Sequence, residues 1–406
     1  MSWQFATAGR IVFGRGTVRQ IGSFAQRLKI TRPLVVSDAK LVALGMAEPL
    51  SAALREAGCE PHIFAECQPE PPFQCAIDGA TAAHAAGCDG VVALGGGSNI
   101  DVAKMVAVLL QHGGQPQDYF GFDRVPGPIL PLIACPTTAG TGSEVSNSSV
   151  LTDHAAGIKV SSLSHFLRPA VAIVDPELTD ACPATVSAHS GIDALVHAIE
   201  AVTARDAEEM PTPTILERAY EGAYSLTQMF ALRAIQLVGR SLAAAVNDGS
   251  NRAARDDMAL AATLAGMAFS NSGVALVHAL EYPIGVLTHC SHGEGNGLLL
   301  PHVMRYNLES RLSEFAKIAA ALLGDSDQSV AAGGENHLRD LAAQAVERVE
   351  QLASQVNIRT QLRQLGLSQQ QLPEIATKAF SIKRLMDTNP RRPTESDLLS
   401  ILQAAY

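Results

Sequence analysis

Residues 91–104 read VVALGGGSNIDVAK: an apolar run (Val91, Val92, Ala93, Leu94), three glycines (Gly95, Gly96, Gly97), then Ser98 opening a helical pattern that carries Asp101 and Lys104. A strand, a glycine turn and a helix start in this order bring backbone N–H groups and the positive end of a helix to one point, which suits a pyrophosphate. Neither GxGxxG nor the Gly-Lys-Ser/Thr ending of a P-loop is present, and the same glycines alone would also serve a tight turn without a ligand. The strand is continuously apolar, as expected when both faces of a sheet are covered.

Outward from this stretch, PLVVSDAK (33–40), PHIFAEC (61–67), PILPLIACPTT (128–138) and PAVAIVDPEL (169–178) are further strand-like runs separated by Ala-rich helical patterns. The alternation predicts βαβ units and a mostly parallel sheet, with ligand sites in the loops after the strands. One such loop, CPTTAGTGSEVS (135–146), is dense in hydroxyls and glycines that can hydrogen-bond a polar cofactor or simply cap their own turn. Asp38, directly after a strand, fits either an acceptor for a ribose 2′-OH or the N-cap of the next helix. After about residue 185 strand-like runs largely disappear, and 189–203, 226–246, 252–270, 312–324 and 396–406 read as helices. The expected organisation is an α/β dinucleotide-binding domain over 1–185 and an all-helical domain over 186–406.

Asp193 and His197 lie four apart in GIDALVHAIE, on one face of a helix, so both can reach one cation. HALEYPIG (278–285) and SHGEGN (291–296) add imidazoles on otherwise apolar sequence. One carboxylate with three histidines would hold a divalent transition metal with a position open to a substrate oxygen. Spacing alone does not choose among the 12 histidines, and His189, His289 and His302 each lie close to a candidate ligand.

GGGSNIDVAK, PTTAGTGSEVS, GIDALVHAIEA and HALEYPIG with HGEGNGLLLPHV, in this order, resemble the group III, iron-dependent alcohol dehydrogenases, from Phe13 to the turn at Asn389. The resemblance implies the dehydroquinate-synthase-like fold of that family, with NAD, or less favourably NADP, and Fe(II) or Zn(II) held in a cleft. Carried over by position, it implies Asp193, His197, His278 and His292 as metal ligands. Gly95, Gly96, Gly97, Ser98 and Asp101 would hold the pyrophosphate, and Thr137, Thr138, Thr141, Val150 and Lys159 would line the ribose and nicotinamide. Asp38 matches the acidic residue of NAD-preferring members, and Phe269 falls where the family lines its substrate pocket. His278, Tyr282 and Lys159 are the candidates for catalysis.

Two positions depart from the family pattern. Tyr282 stands where many members carry a histidine thought to help move a proton, and a tyrosine hydroxyl could take that part. Glu70-Pro71-Pro72 replaces the usual Asn-Pro-Thr and brings a carboxylate toward the expected cofactor path. The implied reaction is hydride transfer between NAD(H) and a small primary alcohol or aldehyde, the metal stabilising the alkoxide. Tyr282 also resembles hydroxyacid–oxoacid transhydrogenases of the same superfamily, and the architecture is shared with dehydroquinate-synthase-like lyases. A binding protein without catalysis is the remaining alternative.

Composition bounds the partners. With 40 acidic against 30 basic residues and no basic cluster, nucleic acid is not expected. Seven scattered cysteines without a CxxC suit reduced thiols, and no secretory signal opens the sequence, so a cytoplasmic enzyme, a homodimer or larger, is expected. Mean hydropathy is +0.13, and residues 258–280 contain no Asp, Glu, Lys or Arg, long enough to cross a bilayer. The polar Ser270-Asn271-Ser272-Gly273 in their middle and His278 at their end predict instead a core helix over 258–269, then a break that turns the chain toward a polar site.

Overall fold

The computed structural model describes residues 2–153, 158–210, 218–324 and 334–406. By its contacts the chain divides into an α/β unit, Ala6–Cys182, and a helical unit, Pro183–Tyr406 together with Met1–Phe5.

In the α/β unit, strands β1 (Ile11–Phe13), β2 (Pro33–Val36), β3 (His62–Phe64), β4 (Gly90–Gly95), β6 (Leu132–Pro136) and β9 (Val171–Val174) form one sheet in the order β1-β9-β6-β4-β2-β3. Every neighbouring pair in it is parallel. Alternation explains why the strands read as unbroken apolar runs. Leu34, Val36, Val91 and Ala93 enter one core with helix α5 (Gly97–His112) and α4 (Phe73–Ala85). Val35, Val92 and Leu94 enter the opposite core with α1 (Ile21–Arg27) and α3 (Ala47–Glu56). β3 and β4 flank β2, so strand order reverses between β2 and β4. At such a switch point the loops after two strands diverge and leave a crevice for a ligand. Those loops begin at Ser37 and Gly96.

A second sheet, in the order β5-β8-β7, joins β5 (Gly121–Phe122), β8 (Ile158–Leu163) and β7 (Ser148–Asp153). α5 sends the fully buried Lys104 under β7, where its Nζ lies 3.0 Å from Ser143 Oγ, 3.1 and 3.0 Å from the carbonyl and Oγ of Ser146, and 2.7 Å from Ser148 O. Burial pushes its pKa down from 10.5 to about 8, against the pull of Asp101. The unfolded chain therefore binds the proton more tightly between those two values, and the lysine's contribution to stability rises with pH across that window. Lys104→Met is expected to cost about 3 kcal/mol, because it strands buried acceptors. In denaturant titrations, the stability difference between wild type and variant should grow from pH 8 to 10.5; a flat difference would contradict this account.

The helical unit is built on α6 (Ala184–Thr203), buried without interruption from Gly191 to Thr203. α7 (Ser225–Asn247), α8 (Arg252–Ser272) and α10 (His292–Asn307) pack against it. α9 (Leu276–Thr288) follows α8, and α11 (Leu312–Leu323) pairs with α12 (Glu335–Gln355). The N-terminal residues join this unit through Trp3, whose ring stacks on Tyr224 at 4.4 Å, and Phe5, 5.5 Å from Phe230. The uncharged stretch 258–280 is divided between α8 and α9, bent by 105°. Its polar residues satisfy themselves locally: Asn271 Nδ2 donates to Met267 O and Ser272 Oγ to Ala268 O. Gly273, at φ +100°, makes the turn. Among the described residues α7 is long and apolar enough, by length and composition, to cross a membrane.

Candidate metal centre and cofactor loops

About two turns of α6 present Asp193, His197 and Glu200 on one face, as their spacing of four and three residues requires. α9 brings His278 to this face, and the first residue of α10 brings His292. One ligand atom each of Asp193, His197 and His278 lie within 4.8 Å of one another. His292 Nε2 is 3.9 Å from Asp193 Oδ1. The four residues are thus gathered in one place. His189 instead engages Ser291 Oγ through its Nδ1, and His289 ends α9 in a left-handed conformation.

The orientation of the rings suits a cation. Ionised carboxylates only accept, so His278 Nδ1–H donates to Glu200 Oε2 at 2.6 Å, and His292 Nδ1–H donates to Glu281 Oε2 at 2.5 Å. Both Nε2 lone pairs then face inward. There Asn296 Nδ2 donates to Asp193 Oδ1 at 2.8 Å and lies 3.1 Å from His292 Nε2 and 3.3 Å from His278 Nε2. His197 Nδ1, buried and 3.9 Å from Asp193 Oδ2, has no hydrogen-bond partner. Burial pushes His197 down to about 4, so its ring is neutral and able to ligate at neutral pH. Burial alone would raise Asp193, but His197, His292 and His278 outweigh it and hold the carboxyl below its ordinary range. Converging acceptors and an orphaned buried nitrogen fit a divalent ion ligated by nitrogen and oxygen.

Phe269 stacks on His197 with ring centroids 4.2 Å apart. Tyr282 lies edge-on to His278 at 6.5 Å and 6.1 Å from His292. Both rings, 7% and 8% exposed, wall the cluster.

In the α/β unit, β4 ends at Gly95, whose φ of +150° and contact with Asn99 exclude a side chain. Gly96 caps α5 without a side chain, and Gly97 and Ser98 form its first turn, half exposed, where N–H groups have no helical acceptor. A Cβ on Gly97 would lie 2.7 Å from Thr141 Cγ2, and one on Gly96 3.3 Å from Thr138 Oγ1. Thr137 N donates to Gly95 O. The two glycine loops therefore close on each other and leave a cradle of backbone N–H groups, as a pyrophosphate requires.

Asp38 serves two partners: Oδ1 caps helix α2 (Ala39–Ala43) by accepting from Leu41 N, and Oδ2 accepts from Asn99 Nδ2. Asp101, at the cradle's edge, directs its carboxylate into the protein, accepting from Ser143 Oγ and Val150 N. Lys159 pairs with Glu70 Oε1 at 2.9 Å. The carboxylate that departs from the family pattern is thus charge-balanced, and it sits in a left-handed conformation, φ +48°.

The profile of iron-containing alcohol dehydrogenases matches residues 8–176, and that of the C-terminal region of the Fe-containing alcohol dehydrogenase family matches residues 187–406. The chain belongs to the iron-containing alcohol dehydrogenase family. It is 34% identical to an NAD-dependent methanol dehydrogenase of Bacillus methanolicus over 97% of both chains. It is 37% identical to a long-chain-alcohol dehydrogenase 1 of Geobacillus thermodenitrificans, over 98% of this chain and 97% of the other. A crystal structure of 1,3-propanediol oxidoreductase superposes with a TM-score of 0.91 at 33% identity, covering all of both chains.

Against this family background, Glu200, Glu281 and Asn296 are the site residues that sequence reasoning left without a role. All three lie inside the quoted motifs, and a signal existed for Glu200, which continues the Asp193–His197 face of α6. Nothing in the spacing tells that Glu281 on α9 meets His292 on α10.

Proposed function

We propose that this iron-containing alcohol dehydrogenase interconverts small primary alcohols and aldehydes with NAD(H), working in the cytoplasm as a homodimer or larger homo-oligomer, without nucleic acid or membrane as partner. The observation that carries the reading is the convergence of Asp193, His197, His278 and His292 around a buried, unpartnered imidazole nitrogen. Those four residues would hold Fe(II), or Zn(II), which supplies Lewis acidity toward a substrate oxygen. Phe269 and Tyr282 keep water from the cluster and favour a small apolar substrate tail, and the Tyr282 hydroxyl would be the group that passes a proton. The first-turn N–H groups of Gly97 and Ser98 bind the pyrophosphate, with Thr137, Thr138 and Thr141 beside them. Asp101 acts as a brace that holds the cradle to β7, and Lys159 with Glu70 fixes the outer edge. The names of the relatives, an NAD-dependent methanol dehydrogenase among them, support this substrate class and cofactor.

The test is a panel of aldehydes and alcohols with NADH and NADPH, run on chelator-stripped enzyme and on enzyme reloaded with Fe(II) or Zn(II). Turnover is expected after reloading alone, with NADH preferred. Asp38→Asn keeps an oxygen for the Leu41 N–H but removes the charge that repels a 2′-phosphate, so the NADH over NADPH preference should shrink about tenfold, equivalent to about 1.4 kcal/mol. Turnover of paired hydroxy and oxo acids without added NADH would favour a transhydrogenase instead.

A further inference from the structure

The four proposed ligands are not equally enclosed. Asp193, His197 and His278 have side chains 3%, 6% and 3% exposed, whereas His292 is 32% exposed. His292 also begins its helix, directly after the turn that ends α9, and has no earlier helical residue to hold it. An ion leaving the cluster would release this ligand first. What restrains the ring is Glu281: the carboxylate is fully buried on α9, and its Oε2 lies 2.5 Å from His292 Nδ1. The space for it is kept by Gly295, one turn along α10, where a Cβ would come within 2.9 Å of Glu281 Cγ and 3.5 Å of its Oε1. A buried carboxylate is costly unless paired, so this position is one that only a specific partner justifies.

We propose that Glu281 is a positioning residue that latches His292 onto the bound metal and sets the rate at which the ion leaves. A charge-assisted hydrogen bond to the far nitrogen fixes the tautomer, aims Nε2 inward and makes it a stronger donor to a cation. The inference rests on the metal reading proposed above and adds to it a division of labour. Glu200 holds the enclosed ligand His278, while Glu281 controls the one ligand at the mouth.

Two substitutions separate charge from geometry. Glu281→Gln leaves an oxygen to accept from Nδ1 but removes the charge, and Gly295→Ala leaves the charge but displaces the side chain. The experiment loads purified protein with Zn(II) and follows its transfer to a chromogenic chelator, so that the readout is metal release and not turnover. Glu281→Gln is expected to speed release about 10- to 100-fold, and Gly295→Ala to move it in the same direction. In a His292→Ala background, Glu281→Gln should add less than about twofold, because the latch acts through that ring. Thermal unfolding of the metal-free Glu281→Gln protein reports any general loss of structure. Unchanged release in both single variants, or an equal acceleration with and without His292, would overturn the proposal. A wild-type protein that takes up no divalent ion would overturn the metal reading itself, a distinct result.

Discussion

Asp193→Ala is expected to lose its divalent ion and, with it, on the order of a thousandfold or more in kcat/KM for aldehyde reduction, while NADH binding stays within about twofold of wild type. The size of the effect follows from the position of Asp193. It is the carboxylate among the four proposed ligands, it is nine-tenths and more buried, and His197 and His292 each lie 3.9 Å from one of its oxygens. Removal leaves three imidazoles and the Asn296 amide in a cavity that has lost its one direct anion, so a cation would be desolvated with less compensation. Histidines would still ligate, but with weaker attraction for a hard divalent ion such as Fe(II). The variant also removes the shortest of the three contacts that hold Asn296 Nδ2 in the cluster. Metal content by atomic absorption, NADH titration by fluorescence and steady-state kinetics on the same preparation check the three parts. Full NADH-linked activity with bound metal in Asp193→Ala would refute the mechanism.

The glycine loop of the α/β unit was legible because it is local. A run of four apolar residues, three glycines and a helix start specify one strand end and one helix N-terminus, and those two features already make the cradle. The ligand set was half legible. Asp193 and His197 share a helix, where periodicity places them together, but His278 and His292 lie on separate helices and only the family resemblance selected them from the 12 histidines. Glu281 and Asn296 could not be read because their meaning is a contact between helices: the same carboxylate on an unpacked helix would be a solvated surface charge. Lys104 shows the reverse difficulty. In sequence it is a lysine in a helical pattern, and only the oxygens of Ser143 and Ser146 in the loop before β7, with Ser148 at its start, explain why its ammonium is buried. The uncharged stretch 258–280 was legible as a broken helix from its Ser270-Asn271-Ser272-Gly273 segment: the chain bends by 105° there, although α8 runs on to Ser272 rather than ending at Phe269 because the Asn271 and Ser272 side chains bond back to the carbonyls of their own helix.

Gly97→Ala tests the other half of the reading and is expected to weaken NADH binding about 10- to 100-fold while leaving metal content unchanged. The added Cβ would meet Thr141 Cγ2 at 2.7 Å, Oγ1 at 2.9 Å and Cβ at 3.0 Å, so the loop at 137–141 or the first turn of α5 must move. Either movement turns an N–H away from the pyrophosphate. Hydrogen bonds to charged groups contribute about 1.5–3 kcal/mol each, and about 1.4 kcal/mol corresponds to tenfold in affinity, which gives the expected range for the loss of one. Gly96→Ala offers a graded comparison: its Cβ would contact Thr138 at 3.3 and 3.4 Å, a closeness that a few tenths of an ångström relieves, so its effect should be the smaller. A glycine needed only for tight packing makes a different prediction, because both variants would then lower the unfolding temperature in proportion to their clash and leave affinity in the folded fraction intact. Isothermal titration of NADH beside thermal unfolding distinguishes the two. Loss of stability in proportion to the clash, with unchanged affinity, would remove the pyrophosphate from this loop, whereas lost affinity in a folded, metal-loaded protein keeps it there.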